Sequence, residues 1–196
     1  MSATVGSGER PLRADARRNR ERIVAAASAV FAQHGSVAQI DEIAARAEVG
    51  VGTVYRHFPT KDALMGELVR QKFERLRDRA IRFQEVADPW EALAGMLRES
   101  AEEMEHDQTQ RRMMWEASPA AVEIGAPARQ ELQREGGKLV ARAHEAGVLR
   151  RDFTVEHIGP FMCGLGSAME MLQSRGERTD DWRKLLEVFL DGLRPR

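Results

Sequence analysis

Residues 40–64 read IDEIAARAEVGVGTVYRHFPTKDAL, and this stretch decides the fold. Ile40, Ile43 and Ala44 recur at helical spacing, and Val54 and Phe58 do the same, so the run predicts two short helices, Ile40 to Ala47 and Val51 to His57. Between them Glu48 to Gly50 leave a tight turn of about three residues, the length that joins the helices of a helix-turn-helix. Pro59 lacks an amide hydrogen and ends the second helix, and Thr60 is a natural N-cap for the next.

Upstream, a helix from about Arg17 to Gln33 is expected to bury Ile23, Ala27, Val30 and Phe31 and to stop before Gly35. Residues 1–16 are small, polar and Arg-bearing and read as a flexible arm. Downstream, Lys61 to about Phe83 turns Leu64, Leu68, Phe73 and Leu76 inward. Asp88 and Pro89 open a helix from Trp90 to about His106, with Leu93, Leu97, Ala101 and Met104 on one stripe. Further helices are expected over Gln110 to Ala117, about Pro127 to Ala146 with Gly147 as its cap, about Thr154 to Ser174, and about Asp180 to Leu193. Pro160 either kinks its helix or marks where the regular part begins. No alternating strand pattern appears, so the chain reads as all-α, with about nine helices.

With 196 residues and 42% hydrophobic content the chain has enough apolar surface for a real core. Cys163 is its single cysteine and forms no internal disulfide; the first residues lack the apolar centre of a secretory signal. The uncharged run from His157 to Met169 carries Gly159 and Pro160 and is shorter than the roughly 20 apolar residues of a membrane span. These features point to a soluble, cytoplasmic, nucleoid-associated protein with no membrane partner. The net charge of −1 conceals an asymmetry: residues 1–83 hold 15 Lys/Arg against 10 Asp/Glu, and residues 84–196 hold 15 against 21. A basic N-terminal part suits a polyanion, and the acidic remainder would be repelled by one. The histidines are scattered, and no glycine-rich phosphate loop, HExxH or nucleophile elbow occurs. Neither a metal, a cofactor nor an enzymatic activity is expected.

The 40–64 run, with the GTVYRHF core and the following Lys61, resembles the DNA-binding domain of the TetR family of regulators over roughly residues 17–76, with the helix-turn-helix at about 39–58. The residue chemistry agrees. Val51, Gly52, Thr53, Tyr55, Arg56 and His57 are positions the core does not need, and they form a face for a major groove. Thr53 suits a base edge or a phosphate, Arg56 guanine or a phosphate, and Tyr55 and His57 suit phosphate oxygens. Tyr55 has a second reading, a half-buried aromatic that seals the three-helix unit. Lys61, in a first helical turn, opposes the helix dipole, which an external anion would explain; the resemblance implies a contact with the DNA backbone. Arg13, Arg17, Arg18 and Arg20 either extend those contacts or belong to a merely solubilising arm.

Two positions depart from the family pattern. Glu48 stands where the family usually has glycine, and a positive φ there would strain it. Ala38 and Gln39 replace the usual Ser or Thr before Ile40, which leaves that helix without a good N-cap.

The resemblance implies that residues 77–196 serve dimerisation and effector binding. Phe161, Leu165, Met169, Leu186 and Phe189 supply apolar faces for a four-helix dimer interface, or else complete a monomer core. Met96, Met104, Met113, Met114, Trp115 and Phe161 line a pocket for a small apolar or amphipathic effector, or else are plain core. Glu116, Glu123 and His144 are polar groups that would orient such a ligand. The function expected is a homodimeric repressor released from operator DNA by an effector; the rival is a helical protein-interaction module that has lost DNA binding.

Overall fold

The computed structural model describes residues 9–107, 116–175 and 181–195, with the side chains of 9–13 and 36 also left aside. Among the described residues there are eight α-helices and no strand: α1 (Glu9–His34), α2 (Ile40–Arg46), α3 (Val51–His57), α4 (Lys61–Phe83), α5 (Pro89–His106), α6 (Pro119–Glu145), α7 (Val155–Ser174) and α8 (Asp181–Gly192), plus one 3-10 turn, Gly35–Val37. No helix among them is long and apolar enough to cross a membrane. Most of the predicted piece Gln110 to Ala117 lies outside the described residues.

The chain divides into two units, one holding the residues up to Val69 together with 116–124, the other holding 70–107 and the residues from Gly125 onward. The division falls inside α4, and residues 116–124 return to the first unit.

In the first unit, α1, α2, α3 and the start of α4 close around Ile23, Ala27, Val30, Phe31, Ile43, Val54 and Leu64, each 0% exposed. Burying side chains of this size is worth roughly 1.5–3 kcal/mol apiece. Ala121 of α6 joins the same cluster. Gly66 makes this possible, because a Cβ there would sit 2.7 Å from Ile124. Helix α1 begins at Glu9, eight residues before the expected start, so the second half of the supposed flexible arm is helical. Pro11 falls in the first turn, where a missing amide is harmless, and Arg18–Asp15 and Arg17–Glu21 pair at helical spacing.

The second unit packs α5, α6, α7 and α8 with the later part of α4 around Leu93, Leu97, Leu139, Met169, Trp182, Leu186 and Leu190. Helix α6 starts at Pro119 and runs through Pro127, where the sequence expectation had begun it. Ser118 explains the earlier start: its Oγ accepts from the Ala121 amide at 3.1 Å and Pro119 takes the first helical position. Helix α7 starts at Val155 and continues through the exposed Pro160. Phe73 and Leu76, expected inward on α4, are only half-buried, while Lys72 between α4 and α5 is buried. Lys72 donates to Glu103 at 3.1 Å, and Arg79 reaches Glu99, Ser100 and Glu103. Polar pairs therefore fill the place assigned to apolar packing. Burial pushes the Lys72 ammonium below its usual range, against the pull of Glu103.

Candidate nucleic-acid interface

Helix α3 is seven residues long; it buries Val54 in the core and packs the half-buried Val51 against it, which corrects the expectation that the core does not need Val51, and Phe58 closes its C-terminal end. The rest of its surface is therefore available. Gly52, Tyr55 and Arg56 are exposed, and Val51, Thr53 and His57 are half-buried. Tyr55 is 48% exposed, so about half of it is open to solvent. A Cβ placed at Gly50 or Gly52 would meet nothing within 4 Å, so the entry to α3 is open for a groove wall to approach.

The turn before α3 is built as the sequence implied. Glu48 sits at φ 52°, the left-handed region, at a cost of roughly 1–2 kcal/mol for a residue with a Cβ. Its carboxylate accepts from Arg22 of α1 at 2.7 Å. Helix α2 lacks a side-chain cap: Gln39 occupies the N-cap position, and its amide instead donates to the Val37 carbonyl at 2.8 Å.

After α3, Phe58 is extended and the Thr60 hydroxyl accepts from the Ala63 amide at 3.0 Å, capping α4. Lys61, at the first position of α4, is half-buried, and its ammonium stands 5.8 Å from the centre of the Phe31 ring. The lysine thus has an internal reason for its place that the sequence did not reveal. Arg20 is similarly committed: it pairs with Glu67 at 2.9 Å and lies 5.0 Å from the Phe58 ring. Of the two readings of Arg20, an extension of the backbone contacts would have to compete with this pair. Arg17 and Arg18 carry only exposed pairs, of a kind worth little and easily exchanged; the Arg13 side chain lies outside the described residues.

The residues singled out in the C-terminal part sort differently. Leu165, Met169 and Leu186 are at most 4% exposed in the core of their own chain, which corrects their assignment to a dimer surface. Phe161 and Phe189 are half-buried and stacked on each other, ring centres 3.3 Å apart. The exposed apolar residues of the same helices are Met171, Leu185 and Val188. Of the pocket set, Met96 is buried and Met104 and Phe161 pack against the second unit's core; Met113, Met114 and Trp115 lie outside the described residues. Glu116 and Glu123 belong to the first unit, apart from His144 in the second. Near His144 a cleft of about 430 Å3, lined also by Leu149, Arg150 and Asp152, includes none of the methionines. No three His, Cys, Asp or Glu side chains among the described residues gather as a metal site.

Comparison with known proteins places this geometry. Residues 23–68 match the family model of bacterial regulatory proteins of the tetR family. Residues 88–195 match the C-terminal domain of SbtR-like transcriptional regulators. A TetR transcription regulatory protein from Mycobacterium vanbaalenii is 32% identical, with 94% of this chain and 99% of that one covered and a TM-score of 0.63. The regulator SCO0520 from Streptomyces coelicolor is 29% identical over 90% of this chain and 98% of its own, TM-score 0.61. The HTH-type transcriptional repressor KstR of Rhodococcus jostii (strain RHA1) is 35% identical over 83 residues, a match that spans 40% of this chain and 39% of that repressor. With both parts of the chain matched and a full-length relative above 30% identity, the protein is a member of the tetR family of bacterial regulatory proteins.

Proposed function

We propose that this chain is a homodimeric, cytoplasmic transcriptional repressor that binds operator DNA through α3 and is released by a small apolar or amphipathic effector. The observation that carries the reading is the exposed face of α3, which offers Gly52, Tyr55 and Arg56 and leaves core formation to Val54 and the half-buried Val51. Val51, Gly52, Thr53 and Arg56 read base edges, while Tyr55, His57 and Lys61 hold phosphates. Residues 17–76 then form the DNA-binding domain and 77–196 the dimerisation and effector domain. In the latter the subunits meet through the outer sides of α7 and α8, where Met171, Leu185 and Val188 stand 46%, 48% and 71% exposed. Apolar side chains this exposed on two adjacent helices are better covered by a second copy than by water. The effector lies against the Met96, Met104 and Phe161 side of the second unit's core. It acts by favouring a subunit geometry in which the two α3 helices no longer match half-sites roughly 34–36 Å apart.

Binding of the purified chain to the DNA upstream of its own gene, measured over a range of salt, tests this reading. Affinity should fall steeply as salt rises. Lys61→Ala should weaken binding to all sequences alike and reduce the salt slope by about 1, whereas Arg56→Ala should change the preference between sequences. Weak binding that ignores salt and sequence overturns the proposal and favours a protein-interaction module.

A further inference from the structure

Among the described residues Glu48 is the one non-glycine at positive φ, and its side chain is 84% exposed. An exposed pair such as Glu48–Arg22 adds little to stability, and glycine would relieve the backbone at this turn. Neither term accounts for a glutamate. Its location does. Glu48 stands three residues before Val51, the first residue of the helix whose N-terminal end a helix-turn-helix directs at base edges. A carboxylate in that turn lies beside the phosphate backbone, and the guanidinium it holds is a phosphate ligand kept occupied. Two arginines of α1 are alike in exposure, 42% for Arg20 and 44% for Arg22, and differ in their partners. Arg20 is tied to Glu67, whose side chain is 7% exposed, so that pair is anchored on its acidic side. Arg22 is 44% exposed and its partner is at the surface, so removing the partner's charge releases it.

We propose that Glu48 limits DNA affinity by holding Arg22 in an intramolecular ion pair, so that each protomer makes one phosphate contact fewer than its cations allow. The inference rests on the DNA-binding reading above. Strain in the turn is then tolerated at a site where the carboxylate restrains sequence-independent binding.

The test uses the full chain and a mixed-sequence duplex of about 30 base pairs, enough for two half-sites. Glu48→Gln keeps the side-chain length and removes the charge. It should tighten binding at low salt and steepen the plot of log K against log salt by about 0.9 per protomer, the signature of one added phosphate contact. In an Arg22→Ala background the same change should add no steepening. Glu48→Gly should reproduce the steepening and also raise the melting temperature, which separates charge from strain. Equal steepening with and without Arg22 overturns the pairing and leaves simple repulsion by Glu48. A wild type that binds steeply and a Glu48→Gln variant indistinguishable from it overturn the proposal alone. A wild type that binds no duplex at any salt removes this proposal and the DNA-binding reading together.

Discussion

Helices α3 and α8 are both short and two-faced, yet they divide their faces differently. Helix α3 buries one residue, Val54, with Val51 half-buried against the same core, and exposes a polar and aromatic surface. Helix α8 gives Trp182, Leu186 and Leu190 and exposes Leu185 and Val188. A polar exposed face is ready for a hydrated, charged partner, and an apolar one for a surface like itself. In the proposed function the working residues of α3 are those most exposed, whereas on α8 the strongest apolar residues already lie in the subunit's own interior.

The largest effect should come from Leu186→Ala. As a fully enclosed residue, 2% exposed, it should lower the unfolding free energy by about 2–5 kcal/mol in a urea titration. The adjacent Leu185→Ala, titrated at a concentration low enough to leave the chain monomeric, should change it by less than about 0.5 kcal/mol. Similar losses for the two would erase the distinction between the faces of α8. Val188→Glu should act on association instead. Sedimentation equilibrium should show the dimer weakened by about 2 kcal/mol or more, as for a central contact residue, with the subunit's helical content unchanged. A dimer insensitive to this change would place the interface elsewhere.

The smallest effect concerns pH and sharpens the electrostatic side of the comparison. Lys138, Gln84 and Arg134 all donate to the Glu135 carboxylate, at 2.6, 3.0 and 3.2 Å, and hold it at about 2 against an ordinary 4.5. A carboxylate depressed in the folded state adds stability above its unfolded pKa, and that contribution is lost as pH falls through the folded value. The second unit should therefore lose stability between about pH 4.5 and 2, and Glu135→Gln should flatten that part of the profile. An unchanged acid profile would show that the three donors do not act on Glu135 in solution.

The first unit was legible because its signals are local. The turn length, Pro59, the Thr60 cap and the bare entry to α3 are all set within a few residues of one another, and the strained Glu48 was readable as a residue standing where glycine belongs. The same reasoning read Asp88–Pro89 correctly as a helix start: Asp88 accepts from the Glu91 amide at 2.8 Å. Ser118–Pro119 carries the same signature, yet the sequence expectation starts the helix at about Pro127. The structure carries the helix through Pro127, although an interior proline loses a ladder bond.

The sequence by itself determined the helical class, the helix-turn-helix and the exposure of Gly52, Tyr55 and Arg56 on α3, since periodicity and caps act over one or two turns. Only the tertiary structure decided which apolar residues of α7 and α8 point inward, why Lys72 is buried, and that Arg20 is tied down while Arg22 is held by Glu48 at the surface. Those outcomes depend on partners distant in the chain: Glu67 is 47 positions from Arg20, and Leu186 shares its core with Leu93 and Leu97. A helical stripe says that a face is apolar, and only the packed neighbours say whether it meets its own chain or another.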